Sequence, residues 1–334
     1  MTAASNAPAL APHAFEAGPA AAVVISVQDL VHRYADRIAL NSISFQVRQA
    51  ELFGLLGPNG SGKTTLFRIL STLMAPSSGQ IAILGHDLKA DASALRRSLG
   101  VVFQSPSIDG KLTAAENLRH QGHLYGLRGA ALEHRISAML SRVGLSERSD
   151  ERAEKFSGGL QRRLELAKGL LHHPSLLLLD EPTSGLDPGA RRDFWQYLRT
   201  LREDQTITIL VTTHLMEEAE HCDRLAILNE GKLVGLGTPA ELKKEIGGDV
   251  LWLDARDGDS LAARVRSRFH LDAQVLEGQV RLECENGHRF VTDLMETFPG
   301  DIEAVSVSKP TLEDVFIHRT GHKFWTENGH PRNS

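Results

Sequence analysis

Gly57-Pro58-Asn59-Gly60-Ser61-Gly62-Lys63-Thr64 is the stretch on which the reading of this chain turns. It fits the pattern G-x-x-x-x-G-K-[ST] in full. Before it, Glu51-Leu-Phe-Gly-Leu-Leu-Gly57 reads as a short apolar strand. After it, Lys63–Leu73 reads as a helix, with Leu66, Ile69, Leu70 and Leu73 on one stripe. Strand, glycine-rich loop and helix are together the context such a loop needs. Successive backbone N–H groups turn inward around a phosphate, and the helix start adds about half a positive charge. Lys63 would neutralise the β- and γ-phosphates of a nucleotide, and the Thr64 hydroxyl would ligate Mg²⁺. Thr65 completes the predicted nucleotide-binding set.

A phosphate loop needs an acidic partner at the end of a buried strand, and Leu176-Leu-Leu-Leu179-Asp180-Glu181 supplies one. Asp180 would serve the metal and Glu181 would polarise an attacking water. Between the two motifs the pattern is β/α, with strands Ile81–Leu84 and Leu99–Phe103. A helical insertion at about 105–156 interrupts it, carrying helices Thr113–Tyr125 and Ala130–Val143. The alternation then resumes as helix Gly159–Leu171, strand Ser175–Asp180, helix Ala190–Leu201, strand Thr206–Thr212 and helix Leu215–Ala219. Such alternation predicts a mostly parallel sheet with helices on both faces. Val23–Val31 and Ser42–Val47 predict two strands joined around Ala35-Asp36-Arg37.

Whole-chain figures narrow the class. A length of 334 residues suggests about two domains. A net charge of −5 with scattered basic residues gives no nucleic-acid footprint. No apolar run approaches a membrane span. Two cysteines, Cys222 and Cys284, make neither a disulfide framework nor a metal pair, which suits a reducing compartment. Met1–Ala22 is Ala- and Pro-rich with no Lys or Arg, and predicts a disordered tail rather than a leader. Residues 23–246 read as the phosphate-loop domain and 249–321 as a second unit. That unit runs Asp249–Asp254 strand, Ser260–Phe269 helix, Ala273–Leu276 and Gln279–Glu285 hairpin, Phe290–Phe298 helix and Ile302–Val307 strand, a βαββαβ ferredoxin-like order. Thr311-x-x-Asp314 predicts a capping box for a last helix stopping near Gly321, and 322–334 a flexible tail.

Further motifs identify the first domain by resemblance. Tyr34 precedes the phosphate loop, Gln104 ends Val-Val-Phe-Gln, and Phe156-Ser157-Gly158-Gly159-Leu160-Gln161 opens a helix. Ser184-Gly-Leu-Asp187 follows the acidic pair, and His214 closes the next strand. In this order, over about Val23 to Leu242, the chain resembles the nucleotide-binding subunit of ATP-binding cassette (ABC) transporters. The resemblance implies an α/β phosphate-loop NTPase fold: a RecA-like core with an antiparallel β subdomain and a helical insertion. It implies ATP and Mg²⁺ as ligands. Tyr34 would stack on adenine, Gln104 would reach the metal and γ-phosphate, and His214 would contact the γ-phosphate. Glu181, His214, Gln104 and Lys63 form the implied catalytic set, and Thr64, Gln104 and Asp180 the metal set. Phe156 and Leu160 depart from the commonest LSGGQ form, while Ser157, Gly158 and Gly159 remain for a second anion site.

The resemblance also implies an assembly. Ser157, Gly158, Gly159 and Asp187 of one subunit would complete the ATP site of another in a head-to-tail homodimer. A separately encoded membrane permease would dock on the helical insertion near Leu112-Thr-Ala-Ala-Glu-Asn-Leu118, holding the chain at the cytoplasmic face of the membrane. Pro310-Thr-Leu-Glu-Asp-Val-Phe316 looks like the tail of daunorubicin- and multidrug-exporter ATPases, which favours export by an ABC-2 type system over import. The second unit reads equally as a dimer-stabilising cap or a regulatory element. A soluble ABC ATPase acting on DNA or ribosomes is the alternative. The single cassette, the compact insertion and the absence of a basic stripe argue against it.

Overall fold

The computed structural model describes residues 22–205 and 207–324. β1 (Val23–Tyr34) and β2 (Arg37–Arg48) form a long antiparallel hairpin that turns at Ala35-Asp36. Both strands outrun the sequence reading, because backbone pairing continues past the apolar residues: His32 faces Leu40 and Arg33 faces Ile38. β3 (Leu52–Leu56) and α1 (Lys63–Leu70) flank the phosphate loop. The helix ends at Leu70, short of the expected Leu73. Thr72 turns the chain at φ +62°, so Leu73 leaves the stripe and is 63% exposed. β4 (Ser78–Ile83) and the two-residue β5 (His86–Asp87) join the hairpin in a sheet of order β2-β1-β4-β5.

α2 (Ala92–Ser98) leads into β6 (Leu99–Val102). The insertion follows as α3 (Ala114–Leu124) and α4 (Gly129–Arg142). Thr113 and Glu116 make a full capping box at the start of α3. α5 (Gly158–Leu170), β7 (Leu176–Asp180), α6 (Pro188–Gln205), β8 (Thr208–Thr213) and α7 (Met216–Ala219) resume the alternation. β9 (Arg224–Asn229), β10 (Lys232–Gly237) and α8 (Pro239–Lys244) close the domain. The second sheet runs β10-β9-β3-β8-β7-β6 and is parallel except for β10.

β7 shows why four leucines in a row suit this place. Leu176 and Leu178 enter the core shared with the antiparallel sheet and α1, and Leu177 and Leu179 the core shared with α4, α5 and α6. A strand covered on both faces has no need to alternate. β5, α2, β9, β10 and α8 lie outside the expected elements. Leu225–Leu228 is fully buried, and Glu230-Gly231, both at positive φ, make the tight turn from β9 to β10.

The second unit contains β11 (Asp249–Ala255), α9 (Gly258–Phe269), β12 (Ala273–Leu276), β13 (Gln279–Cys284), α10 (Gly287–Thr297), β14 (Ile302–Ser308) and α11 (Leu312–Thr320). Its sheet is antiparallel in the order β12-β13-β11-β14. Glu277 and Gly278, both at positive φ, turn β12 into β13. The Thr311/Asp314 capping box starts α11 and Gly321 ends it in the left-handed conformation. α11 packs on the first domain: Val315, Phe316 and Val250 share a core with Leu56, Leu225, Ile227 and Leu242. His322 and Phe324, expected in a flexible tail, are held instead. Phe324 is buried edge-on against Phe316, and His322 pairs with Asn229 at 3.3 Å. The rest of that tail, and the N-terminal tail before Ala22, lie outside the described residues. No helix among the described residues is long and apolar enough to cross a membrane.

Candidate nucleotide site

The phosphate loop leaves β3 at its buried end and enters α1 at Lys63. Gly62 sits at φ +105°, where an added Cβ would lie 2.8 Å from the Ala39 carbonyl oxygen and from Leu40 Cδ2. Only glycine fits that turn. Ser61 Oγ is buried without a hydrogen-bond partner among the described residues. Lys63 is 4% exposed. Its Nζ donates to the Gly57 carbonyl at 2.6 Å and the Pro58 carbonyl at 3.1 Å, and stands 3.8 Å from Glu181 Oε1. Burial lowers the pKa of this ammonium, with Glu181 and Asp180 opposing.

β7 delivers the acidic pair beside the loop. Asp180 Oδ1 accepts from Thr212 Oγ1 at 2.6 Å. Burial raises its pKa against that bond. Glu181 adopts φ +42°, a left-handed conformation that costs a residue with a Cβ about 1–2 kcal/mol. Its amide donates to Thr212 Oγ1 at 2.9 Å. His214, one residue past β8, brings Nδ1 to 3.0 Å from Glu181 Oε2. Gln104, two residues past the end of β6, donates Nε2 to the same oxygen at 3.3 Å. The His214 bond, more than burial, sets the direction for Glu181 and holds its carboxyl below the usual range. Lys63, Gln104 and His214, far apart in the chain, thus meet on one carboxylate.

A cleft of about 340 Å³ adjoins this cluster, lined among others by Tyr34, Gly60, Lys63, Thr64, Thr65 and Glu181. Tyr34 is 42% exposed and its hydroxyl lies 3.3 Å from Met74 Sδ and 3.5 Å from Thr65 Oγ1. The donor set suits a nucleotide with Mg²⁺. A glycine-lined cradle faces a buried cation, and Thr64 and Asp180 offer oxygens. Among the described residues no group of three or more His, Cys, Asp and Glu could cage a metal. Mg²⁺ takes this kind of site, with one or two protein oxygens and the rest from phosphate and water.

Ser157, Gly158 and Gly159 stand apart. Ser157 caps α5, its Oγ accepting from the Leu160 amide at 3.4 Å. No hydrogen bond or ion pair joins 157–159 to 57–65 among the described residues. Asp187 Oδ1 accepts from the Gly189 and Ala190 amides at 3.0 Å, starting α6. The Ala190 bond leads in holding its carboxyl below the usual range.

Sequence reasoning missed four residues here. Arg37 pairs with Tyr34 across the hairpin and lines the cleft. Glu218, 2% exposed, accepts from Thr213 Oγ1 at 2.5 Å and from Thr183 Oγ1, and lies 3.6 Å from Arg191 Nε. Arg162 and Glu165 form a buried ion pair at 2.6 Å. An Arg and a Glu at i, i+3 inside an otherwise apolar helix stripe was the available signal for that pair.

Comparison with known proteins follows the same lines. Residues 40–184 match the ABC transporter family. A daunorubicin resistance ATP-binding protein of Streptomyces coeruleorubidus is 37% identical over 308 residues, covering 89% of this chain and 96% of that protein. Nod factor export ATP-binding protein I of Neorhizobium galegae is 38% identical over 304 residues, covering 90% and 86%. A probable multidrug ABC transporter ATP-binding protein of Escherichia coli (strain K12) is 42% identical over 226 residues, 68% of this chain, and the match spans 39% of that protein's length. Among solved structures, cbiO1 from Clostridium perfringens, part of an ABC transporter complex, superposes with a TM-score of 0.63 at 27% identity, covering 74% of this chain and 96% of that one.

Proposed function

The chain belongs to the ABC transporter ATP-binding family, and from that premise we propose that it binds and hydrolyses ATP to drive an exporter whose membrane permease is a separate protein. The observation that carries this reading is the meeting of Lys63, Gln104 and His214 on Glu181 beside the phosphate-loop cleft. The loop amides and Lys63 hold the phosphates, and Tyr34 offers a flat face to adenine. Thr64 and Asp180, with Gln104, would hold Mg²⁺, which supplies charge neutralisation on the phosphate oxygens. Glu181, kept ionised by its partners, accepts a proton from the attacking water, and His214 orients that carboxylate.

Ser157–Gly159 and Asp187 serve the ATP of a second copy in a head-to-tail homodimer. Closing the pair excludes water, and hydrolysis releases it. Relatives named for daunorubicin resistance and for Nod factor export support the export direction. The helical insertion is the surface for the permease, which keeps the subunit at the inner face of the membrane. The test is phosphate release by the purified chain over a dilution series. ATPase activity is expected to rise faster than linearly with protein concentration. A strictly linear dependence down to demonstrably monomeric protein contradicts the shared site.

A further inference from the structure

Arg162 lies in the second turn of α5, on the helix that Ser157 opens, and its side chain is turned inward. It is 6% exposed and Glu165 3%. Nε donates to the Pro182 carbonyl at 2.5 Å, and Nη2 to the carbonyls of Asp180 at 3.3 Å and Glu181 at 3.5 Å. Nη1 donates to the Phe103 carbonyl at 2.7 Å and to Glu165 Oε2 at 2.6 Å. Glu165 uses its other oxygen to accept from the Ser107 amide at 2.6 Å. One buried pair therefore grips three consecutive carbonyls around Glu181 and both flanks of Gln104.

That placement bears on the strained backbone at Glu181. A residue with a Cβ at φ +42° persists only where its surroundings over-determine it. The Thr212 bonds fix the amide side of Glu181, and Arg162 fixes the carbonyl side. Only a guanidinium has the fork of donors needed to serve so many acceptors at once.

The geometry points to Arg162 as a positioning residue for hydrolysis: held by Glu165, it locks Glu181 and Gln104 in their reactive arrangement and ties that arrangement to the helix start that serves the partner subunit. It is not among the residues that line the cleft. This inference rests on the ATPase reading above. Its signature is a split between turnover and binding.

The experiment measures kcat, KM and the affinity for a fluorescent ATP analogue in the full chain and in Arg162→Met, Arg162→Lys and Glu165→Gln. Arg162→Met is expected to lose tenfold or more in kcat while nucleotide affinity stays within threefold. With saturating Mg-ATP it should then accumulate as a dimer on a sizing column, as a hydrolysis-blocked chain must and a merely unstable one cannot. Arg162→Lys restores the charge without the fork and recovers only part of the rate. Glu165→Gln lowers kcat threefold or more at unchanged affinity, and decides the matter should Arg162→Met fail to fold. Wild-type kcat in Arg162→Met, or in Glu165→Gln where that variant decides, overturns the inference and leaves the ATPase reading standing. So does a parallel loss of affinity and turnover. Absence of ATPase activity in the unaltered chain overturns the reading beneath it.

Discussion

Two helices in this chain begin at glycine-rich turns, and they are finished in opposite ways. α1 starts at Gly62 with no side-chain cap. Its first N–H groups open into a cleft walled by the same subunit, with a buried lysine beside them. α5 starts at Ser157, whose own hydroxyl takes one of the free amides, and Ser157 and Gly158 lie exposed at the surface. An uncapped helix start costs stability unless an anion occupies it, whereas a capped one is stable alone. Under the proposed function, the first is a site in its own right, and the second is a surface that would become part of a site when a second copy is brought to it.

The largest effect on nucleotide affinity expected from this contrast is at Lys63. Lys63→Ala removes the buried cation and should weaken nucleotide binding by about 10²-fold. Titration calorimetry showing near-normal affinity would mean that α1's start does not hold the phosphates. Next come the acids behind the cleft. Glu181→Gln keeps size and hydrogen bonding but loses the base, so turnover should fall by about 10²-fold or more with ATP still bound. That variant should elute as an ATP-bound dimer. Asp180→Asn should instead weaken Mg²⁺-dependent binding without trapping the dimer. A Glu181→Gln chain that turns over normally moves the base elsewhere. The smallest effect belongs to α5. Ser157→Ala removes one hydroxyl worth about 1 kcal/mol, roughly fivefold in rate, and should leave the affinity of the isolated subunit for nucleotide untouched. A loss of monomer affinity would erase the distinction between the two helix starts.

How much of this was legible depended on whether local pattern and chemistry coincided. The phosphate loop, the leucines of β7 and the caps at Thr113 and Thr311 declare themselves, because strand, turn and helix signals agree with the motif around them. Convergence on Glu181 was legible only through family order, since residues 63, 104 and 214 meet by strand adjacency that no single segment encodes. Arg162 left one trace, its i, i+3 spacing to Glu165, while the backbone carbonyls it grips and the threonines that bond Glu218 lie in other segments and leave no spacing to read. Leu73 misled for the converse reason. Its helical periodicity is sound, and Thr72 turns the chain one residue before it. Met1–Ala22 offered composition alone, and composition supported no more than an expectation.

The core beneath β3 carries a consequence in time. Leu56, the last residue before the phosphate loop, belongs to the same buried cluster as Val315 and Phe316 of α11. A ribosome delivers that helix more than two hundred residues after the strand it shelters. Throughout synthesis the growing chain can pair its sheets and form its loop, but the outer flank of the nucleotide domain stays wet. α11 is the helix that seals it, so a chain cut before α11 presents an apolar face where one that includes it presents a surface.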